Sequence, residues 1–267
     1  MCRLLGYVGS PIALSALLTD PPHSLRVQSY APKELRVALL NADGFGFGWY
    51  DGDRNRHPFT YRSILPLWND PNVDSLCRYI HTSATIAYVR SATPGQAIDL
   101  SNCQPFQSGE LLFSHNGYIR NFRETLYRPL RSRLSDRAYA AIHGSTDSEH
   151  LWGLVLTALE QTPDLRSALA HALNTLADLA AQFATAIAAN VVMSDGTQLI
   201  GAKFSSFDPS PSLYWLRGDP RFPNSAIVAS EPLFEADWQP CPEATLFTIS
   251  AHRDPEFHPL QPTPSSI

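Results

Sequence analysis

A cysteine stands at position 2, directly behind Met1. Aminopeptidases commonly remove an initiator methionine before a small second residue, and that step would leave Cys2 carrying both a thiol and a free α-amino group. With a reference pKa of about 7.7 to 8.0, such an amine can act as a base beside the thiol near neutral pH, so one residue would supply nucleophile and base. Position alone leaves a second reading open, in which Cys2 is a small apolar side chain of a buried first strand. Cys77, Cys103 and Cys241 are widely separated and no CxxC pair occurs, which argues against a zinc site or a disulfide framework.

Four other stretches carry residues suited to binding or polarising a substrate. In Asn41-Ala42-Asp43-Gly44-Phe45-Gly46-Phe47-Gly48 the alternating glycines allow close approach of backbone to a ligand or to another backbone. The spacing is GxGxG and no Walker lysine follows, so this is no dinucleotide fingerprint. Arg90 closes the apolar run from Ile86 to Val89, with Thr93 three residues on; its fork suits a carboxylate ligand or a structural partner. Ser114-His115-Asn116-Gly117 ends another hydrophobic run. An irregular turn there would expose the Asn116 amide and a backbone N–H as an oxyanion hole, whereas a plain Asn-Gly hairpin would leave His115 satisfying a core hydrogen bond. Asp147 falls in the first turn of an expected helix, where a carboxylate meets the helix dipole favourably with or without a substrate.

The elements that must hold these residues are short. Residues 3–8, 45–50, 84–90 and 111–115 are apolar runs bounded by turn-forming residues and read as buried strands. Leucines and an alanine at four-residue spacing predict a helix between Asn121 and Tyr139, broken or kinked at Pro129. Thr146 and Glu149 have capping-box spacing ahead of a periodic apolar run, which places a helix start beside Asp147. A second helix follows Pro163, with Leu165, Leu169, Leu173, Leu176, Ala180 and Phe183 on one face. Strands are expected again near 187–193, 197–204, 212–216, 225–229 and 245–249, with a turn at Asp195-Gly196. From Pro255 to Ile267 the tail reads as extended or loose. Strands, then a helical pair, then strands again, without βαβ alternation, predict an α+β arrangement of two sheets with helical layers.

Composition narrows the function classes. With 20 Lys+Arg against 25 Asp+Glu the net charge is -5, and no basic run offers a footprint for nucleic acid. The amino-terminal stretch lacks a signal-peptide cleavage pattern, and no run approaches the roughly 18 to 20 clean apolar residues of a membrane span. A cytoplasmic location and no membrane partner are therefore expected. No repeat or linker divides the chain, so a single domain over residues 1–267 is expected.

Taken together in order, MCRLLGY at the start, NADGFGFGW, AYVRSAT, PF at 105–106, HNG at 115–117, TDSE at 146–149 and ASEP at 229–232 resemble class II glutamine amidotransferases. These are N-terminal-nucleophile hydrolases. VQSYAP, LPLWND, RSATPG and the lack of a synthetase domain resemble the stand-alone EgtC-type branch of ergothioneine biosynthesis, to which the glutathione-degrading subunits are also similar.

The resemblance implies a four-layer αββα sandwich of two antiparallel sheets between helical layers. It implies Cys2 as nucleophile with its α-amino group as base, and Asn116 and Gly117 as the oxyanion hole. Arg90, with Thr93 and His115 nearby, would hold the glutamyl α-carboxylate side of the substrate, Asp147 would anchor its α-amino group, and Gly44 and Gly46 would give it room. Hydrolysis of a γ-glutamyl amide follows, in the EgtC case γ-glutamyl-hercynylcysteine sulfoxide, with no metal or organic cofactor. The trimethylammonium of that leaving group calls for aromatic faces, and Tyr30 and Trp68 are the candidates, with Trp49 as a third. A glutathione-degrading or ammonia-donating subunit, which would need a partner chain, and a non-catalytic binding module are the alternatives.

Overall fold

A computed structural model describes residues 2–34, 40–52, 55–93 and 95–260 of the chain. Its strands, in chain order, are β1 (Arg3–Ala13), β2 (Phe45–Asp51), β3 (Asn55–Ser63), β4 (His81–Val89), β5 (Phe106–Ser108), β6 (Leu111–Ile119) and β7 (Ile187–Ser194). They continue with β8 (Leu199–Ser205), β9 (Tyr214–Arg217), β10 (Ser225–Ala229), β11 (Gln239–Pro240), β12 (Thr245–Ile249) and β13 (Glu256–Pro259). The helices are α1 (Ser15–Leu18), α2 (Leu25–Tyr30), α3 (Val73–Tyr79), α4 (Tyr127–Arg131), α5 (Asp136–Ala140), α6 (Asp147–Leu159) and α7 (Leu165–Gln182).

The strands form two antiparallel sheets, of order β11-β9-β10-β1-β4-β2-β3 and β13-β12-β8-β7-β6-β5. Period-two alternation sends β1 side chains both ways. Leu5 and Tyr7 pack with Leu17, Leu18, Leu25 and Val73 of the helices α1 to α3, while Leu4 and Val8 face Leu112, Val192 and Leu199 of the other sheet. On the far side of that second sheet, Phe113, Val191 and Ala202 pack against Leu151, Val155, Leu169, Leu173 and Leu176 of α6 and α7. The result is the α+β sandwich of four layers, αββα. Strands covered on both faces have no polar stripe, which is why the runs starting at Arg3, Phe45 and Ile187 are nearly continuous in apolar residues.

Thr146 accepts a hydrogen bond from Glu149 N at 3.2 Å, as the capping spacing requires. Glu149 does not complete the box. Its carboxylate instead accepts from His143 N and Gly144 N, at 2.8 and 2.6 Å, and holds the loop leading into the helix. Asp164 caps α7 through Ser167 N at 2.9 Å, and Gly196, with φ +89°, makes the β7–β8 turn.

Two expectations change. The helix over 121–139, expected to break or kink at Pro129, is two one-turn helices, α4 and α5, and the break falls after Arg131, because the chain restarts at Ser135, whose hydroxyl caps Ala138 N at 3.1 Å. Pro129 lies inside the first turn of α4, where its missing N–H costs little. The Asn116-Gly117 pair makes no turn: β6 runs on to Ile119, in register with β7 through Asn116↔Asn190 and Gly117↔Ala189. The tail is extended at its start, as one of its two readings had it: β13 pairs with β12, and 261–267 lie outside the described residues. No helix among the described residues is long and apolar enough to cross a membrane.

Candidate active site

A cavity of about 520 Å³ opens at the ends of β1, β4 and β6 and the start of α6. Cys2, Arg90, Thr93, Gly117 and Asp147 all line it. They come from four separate stretches that only the sandwich brings together.

Cys2 immediately precedes β1, an interior strand paired on both sides. Its sulfur lies 3.3 Å from Ser91 N and 3.4 Å from Ser91 O, so the turn after β4 cradles the thiol. The carbonyl of Cys2 accepts from Arg3 Nη1 at 2.7 Å. Arg3 in turn is fixed by Glu231 at 2.7 Å, and the other Glu231 oxygen meets His23 Nε2 at 2.7 Å. All three side chains are buried. Burial alone would raise the Glu231 pKa. The hydrogen bond from His23, the charge of Arg3 and the backbone N–H groups of Lys33 and Glu34 overcome it and bring the value down to about 2.

Tyr88, two residues before Arg90 on the same face of β4, also lines the cavity. Burial, reinforced by the neighbouring Cys2 sulfur, pushes its hydroxyl well above the usual range, so it remains a donor. Arg90 is buried, and its guanidinium touches Asp43 O at 3.3 Å, Ala97 O at 3.2 Å and Gln96 Oε1 at 3.4 Å. Among the described residues no carboxylate pairs with it, which leaves the charge of the fork available to an anionic ligand. Asp147 is anchored at both oxygens, accepting from Ser148 N at 2.9 Å and Ile119 N at 3.0 Å. Cation and anion thus stand fixed on the walls of one cavity.

The backbone N–H of Gly117 is placed to donate toward the cavity, as an oxyanion hole would require. His115 N points off β6 to Gln104 Oε1 at 2.6 Å and Ile119 N to Asp147, so the strand's alternation aims Gly117 N off the same edge, between them. A Cβ at Gly117 would lie 1.9 Å from His115 Nε2 and 2.1 Å from Ala188 O, which leaves space there only for glycine. Asn116 is fully buried one step behind the cavity, on the face of β6 that looks toward the other sheet. Its Nδ2 lies 3.3 Å from Ser230 Oγ and its Oδ1 has no partner among the described residues. Exchanging the two ends of the amide would let Ser230 donate to the oxygen and would leave an N–H unpartnered, as an oxyanion donor must be.

Five expected site residues stand elsewhere. His115 is buried beneath the cavity, its Nδ1 2.9 Å from Ser148 Oγ and its Nε2 3.3 Å from Ala188 O. Gly44 and Gly46 accommodate the chain itself: a Cβ on Gly44 would meet Cys103 Sγ at 2.6 Å, and one on Gly46 would meet Gln104 O at 2.4 Å. Gly44 also has φ +113°, a conformation that favours glycine. Tyr30 and Trp68 meet each other edge to face, with ring centroids 5.8 Å apart, and are exposed rather than lining the cavity. The aromatic rings that do line it are Tyr88, Tyr118 and Phe207. Tyr88, Ser148 and the Arg3–Glu231 pair were not singled out by sequence. Tyr88 was readable from its period-two offset to Arg90, and Ser148 from its place beside Asp147. Nothing in sequence joins Arg3 to a residue 228 positions away. Among the described residues no group of three His, Cys, Asp or Glu side chains could hold a metal ion.

A scan of family models matches residues 1–220 to the class-II glutamine amidotransferases. The chain is 32% identical over 294 aligned positions to the probable glutamine amidotransferase DUG3 of Saccharomyces cerevisiae, covering 93% of this chain and 82% of that protein. It is 44% identical over 119 residues to the gamma-glutamyl-hercynylcysteine sulfoxide hydrolase of Mycobacterium tuberculosis (strain CDC 1551 / Oshkosh), a match that takes in 45% of this chain and 50%, half the length, of that relative. A solved class-II domain protein from Silicibacter pomeroyi superposes with TM-score 0.70 at 25% identity, covering 97% of this chain and 99% of the other. The Bacillus subtilis glutamine phosphoribosylpyrophosphate amidotransferase shares the fold, with TM-score 0.63 at 18% identity over 97% of this chain and 49% of its own. The chain belongs to the class-II glutamine amidotransferase family.

Proposed function

We propose that this protein is a cysteine-nucleophile amidohydrolase that cleaves γ-glutamyl amides, acting as one domain in the cytoplasm without metal or organic cofactor. The observation that carries this reading is the convergence of Cys2, Gly117 N, Arg90 and anchored Asp147 on one cavity. A γ-glutamyl head has an ammonium and a carboxylate at its far end, and holding both fixes the scissile amide over the sulfur. Once Met1 is removed, the α-amine of Cys2 takes the thiol proton. The sulfur then attacks the amide carbon, and the oxyanion is held by Gly117 N and the Asn116 amide. The amine leaves carrying the proton held on Cys2, and water hydrolyses the thioester to glutamate. Met1 lies outside the described residues.

The likeness to the mycobacterial hydrolase supports γ-glutamyl-hercynylcysteine sulfoxide as the substrate, with Tyr118 and Phe207 as the rings available to its trimethylammonium. The second reading is a glutathione-degrading or ammonia-donating subunit with a partner chain, and the likeness to the probable glutamine amidotransferase of yeast, over 93% of this chain, supports the amidotransferase part of it. Values of kcat/KM for the sulfoxide, glutathione and glutamine decide between them. Preference for the sulfoxide by tenfold or more supports the first reading; preference for glutathione or glutamine moves the assignment to the second. An intact Met1 in the mature protein with no turnover would leave only a binding module.

A further inference from the structure

The hydrogen-bond chain beneath Asp147 has a direction. Ala188 O can only accept, so the His115 nitrogen facing it at 3.3 Å, Nε2, carries the hydrogen. Burial lowers the His115 pKa and keeps the ring neutral, which leaves Nδ1 a bare lone pair. Ser148 Oγ, 2.9 Å away, must therefore donate its only hydrogen to Nδ1. Both lone pairs of that oxygen remain without a partner among the described residues, and Ser148 lines the cavity next to Asp147. Toward the cavity this hydroxyl is an acceptor only. The absence of a side chain at Gly117 is what admits the His115 ring that sets the direction.

An ammonium group presents three N–H donors, and the Asp147 carboxylate, with each oxygen already accepting a backbone N–H, supplies one side of its shell. We propose that Ser148 Oγ, oriented by His115, is a second acceptor for the α-ammonium of the γ-glutamyl head and makes the site selective for substrates that carry a free α-amine. His115 is then a positioning residue rather than a substrate contact. The inference rests on reading the cavity as a γ-glutamyl site, and a binding measurement separates the two.

In Cys2→Ala protein, which cannot turn over, L-glutamate and glutarate differ only by the α-amine. Adding Ser148→Ala should weaken glutamate binding by about 10-fold or more, the range for a hydrogen bond to a charged group, and leave glutarate within about twofold. Ser148→Thr, which keeps the hydroxyl, should restore the preference. Equal weakening of both ligands, or an unchanged preference for glutamate, overturns the assignment. Parallel hydrolysis of γ-glutamyl-p-nitroanilide by the Cys2-bearing protein tests the amidase reading: turnover with no Ser148 effect on glutamate sinks only the Ser148 role, and Ser148-dependent glutamate selectivity without turnover sinks only the amidase.

Discussion

Replacing the sulfur of Cys2 removes one atom from a half-buried side chain whose contacts are to the Ser91 backbone, so it perturbs chemistry far more than packing. Cys2→Ala should abolish release of amine from γ-glutamyl-p-nitroanilide while thermal unfolding shifts by no more than a few degrees. Retained turnover above background would defeat the nucleophile assignment. On the oxyanion role proposed for its amide, Asn116→Ala should lower kcat by about 10² to 10³ with KM little changed. Gly117→Ala is a different kind of change. With its Cβ inside contact distance of both His115 and Ala188 O, it should cost about 1 to 3 kcal/mol of stability or more, read from urea unfolding, and inactivate the enzyme together with it. Cys2, Arg90 and Asp147 were legible because each sits at the border of a strong strand or helix signal, where side chains leave the core. Gly44 and Gly46 were misread because a glycine reports only that something comes close; in this fold it is Cys103 and Gln104, which sequence cannot place. Tyr30 and Trp68 likewise lie outside the cavity lining, edge to face on the surface, a placement that sequence does not report.

At the scale of elements, the strands were legible wherever both faces are buried, because an uninterrupted apolar run leaves no other place to go. β3, with most of its residues exposed or half-buried, and the three-residue β5 gave no such run and were missed. The segment over 121–139 misled because four-residue spacing of leucines is satisfied equally by two short helices packing the same side toward α6. Glu231, just beyond β10, joins β1 through Arg3, the α2 region through His23, and the chain at Lys33 and Glu34 through their N–H groups. Its pKa is depressed from the ordinary 4.5 to about 2, so its contribution to stability is complete above the unfolded value and is lost as pH falls from about 4.5 toward 2. Glu231→Gln should therefore show a shallower acid-side decline in urea midpoint than the parent, and at pH 7 should be destabilised by about 3 to 5 kcal/mol for stranding Arg3. Parallel acid-side curves would show that Glu231 does not anchor the start of β1.

For the whole molecule, burial separates the four thiols. It raises the Cys77 and Cys241 pKa values to about 12 and the Cys103 value above its ordinary range, while Cys2 lines the cavity of the candidate site. Brief treatment of native protein with iodoacetamide near pH 8 should add one group per chain, at Cys2, and denatured protein should take four. Native labelling at Cys103 would contradict the packing described around Gly44.

The interior place of β1 also sets where this chain can be cut. The family match ends at residue 220, yet the strand that pairs with β1 from Leu5 to Gly9 begins at Ser225, and the groups that hold Leu4 N and Arg3 are Ser230 and Glu231. Trimmed to its matched length, the protein would present Leu4, Leu5, Tyr7 and Val8 on a bare strand edge, with N–H and C=O groups spaced to recruit another copy. Such a fragment should aggregate rather than persist as a smaller enzyme.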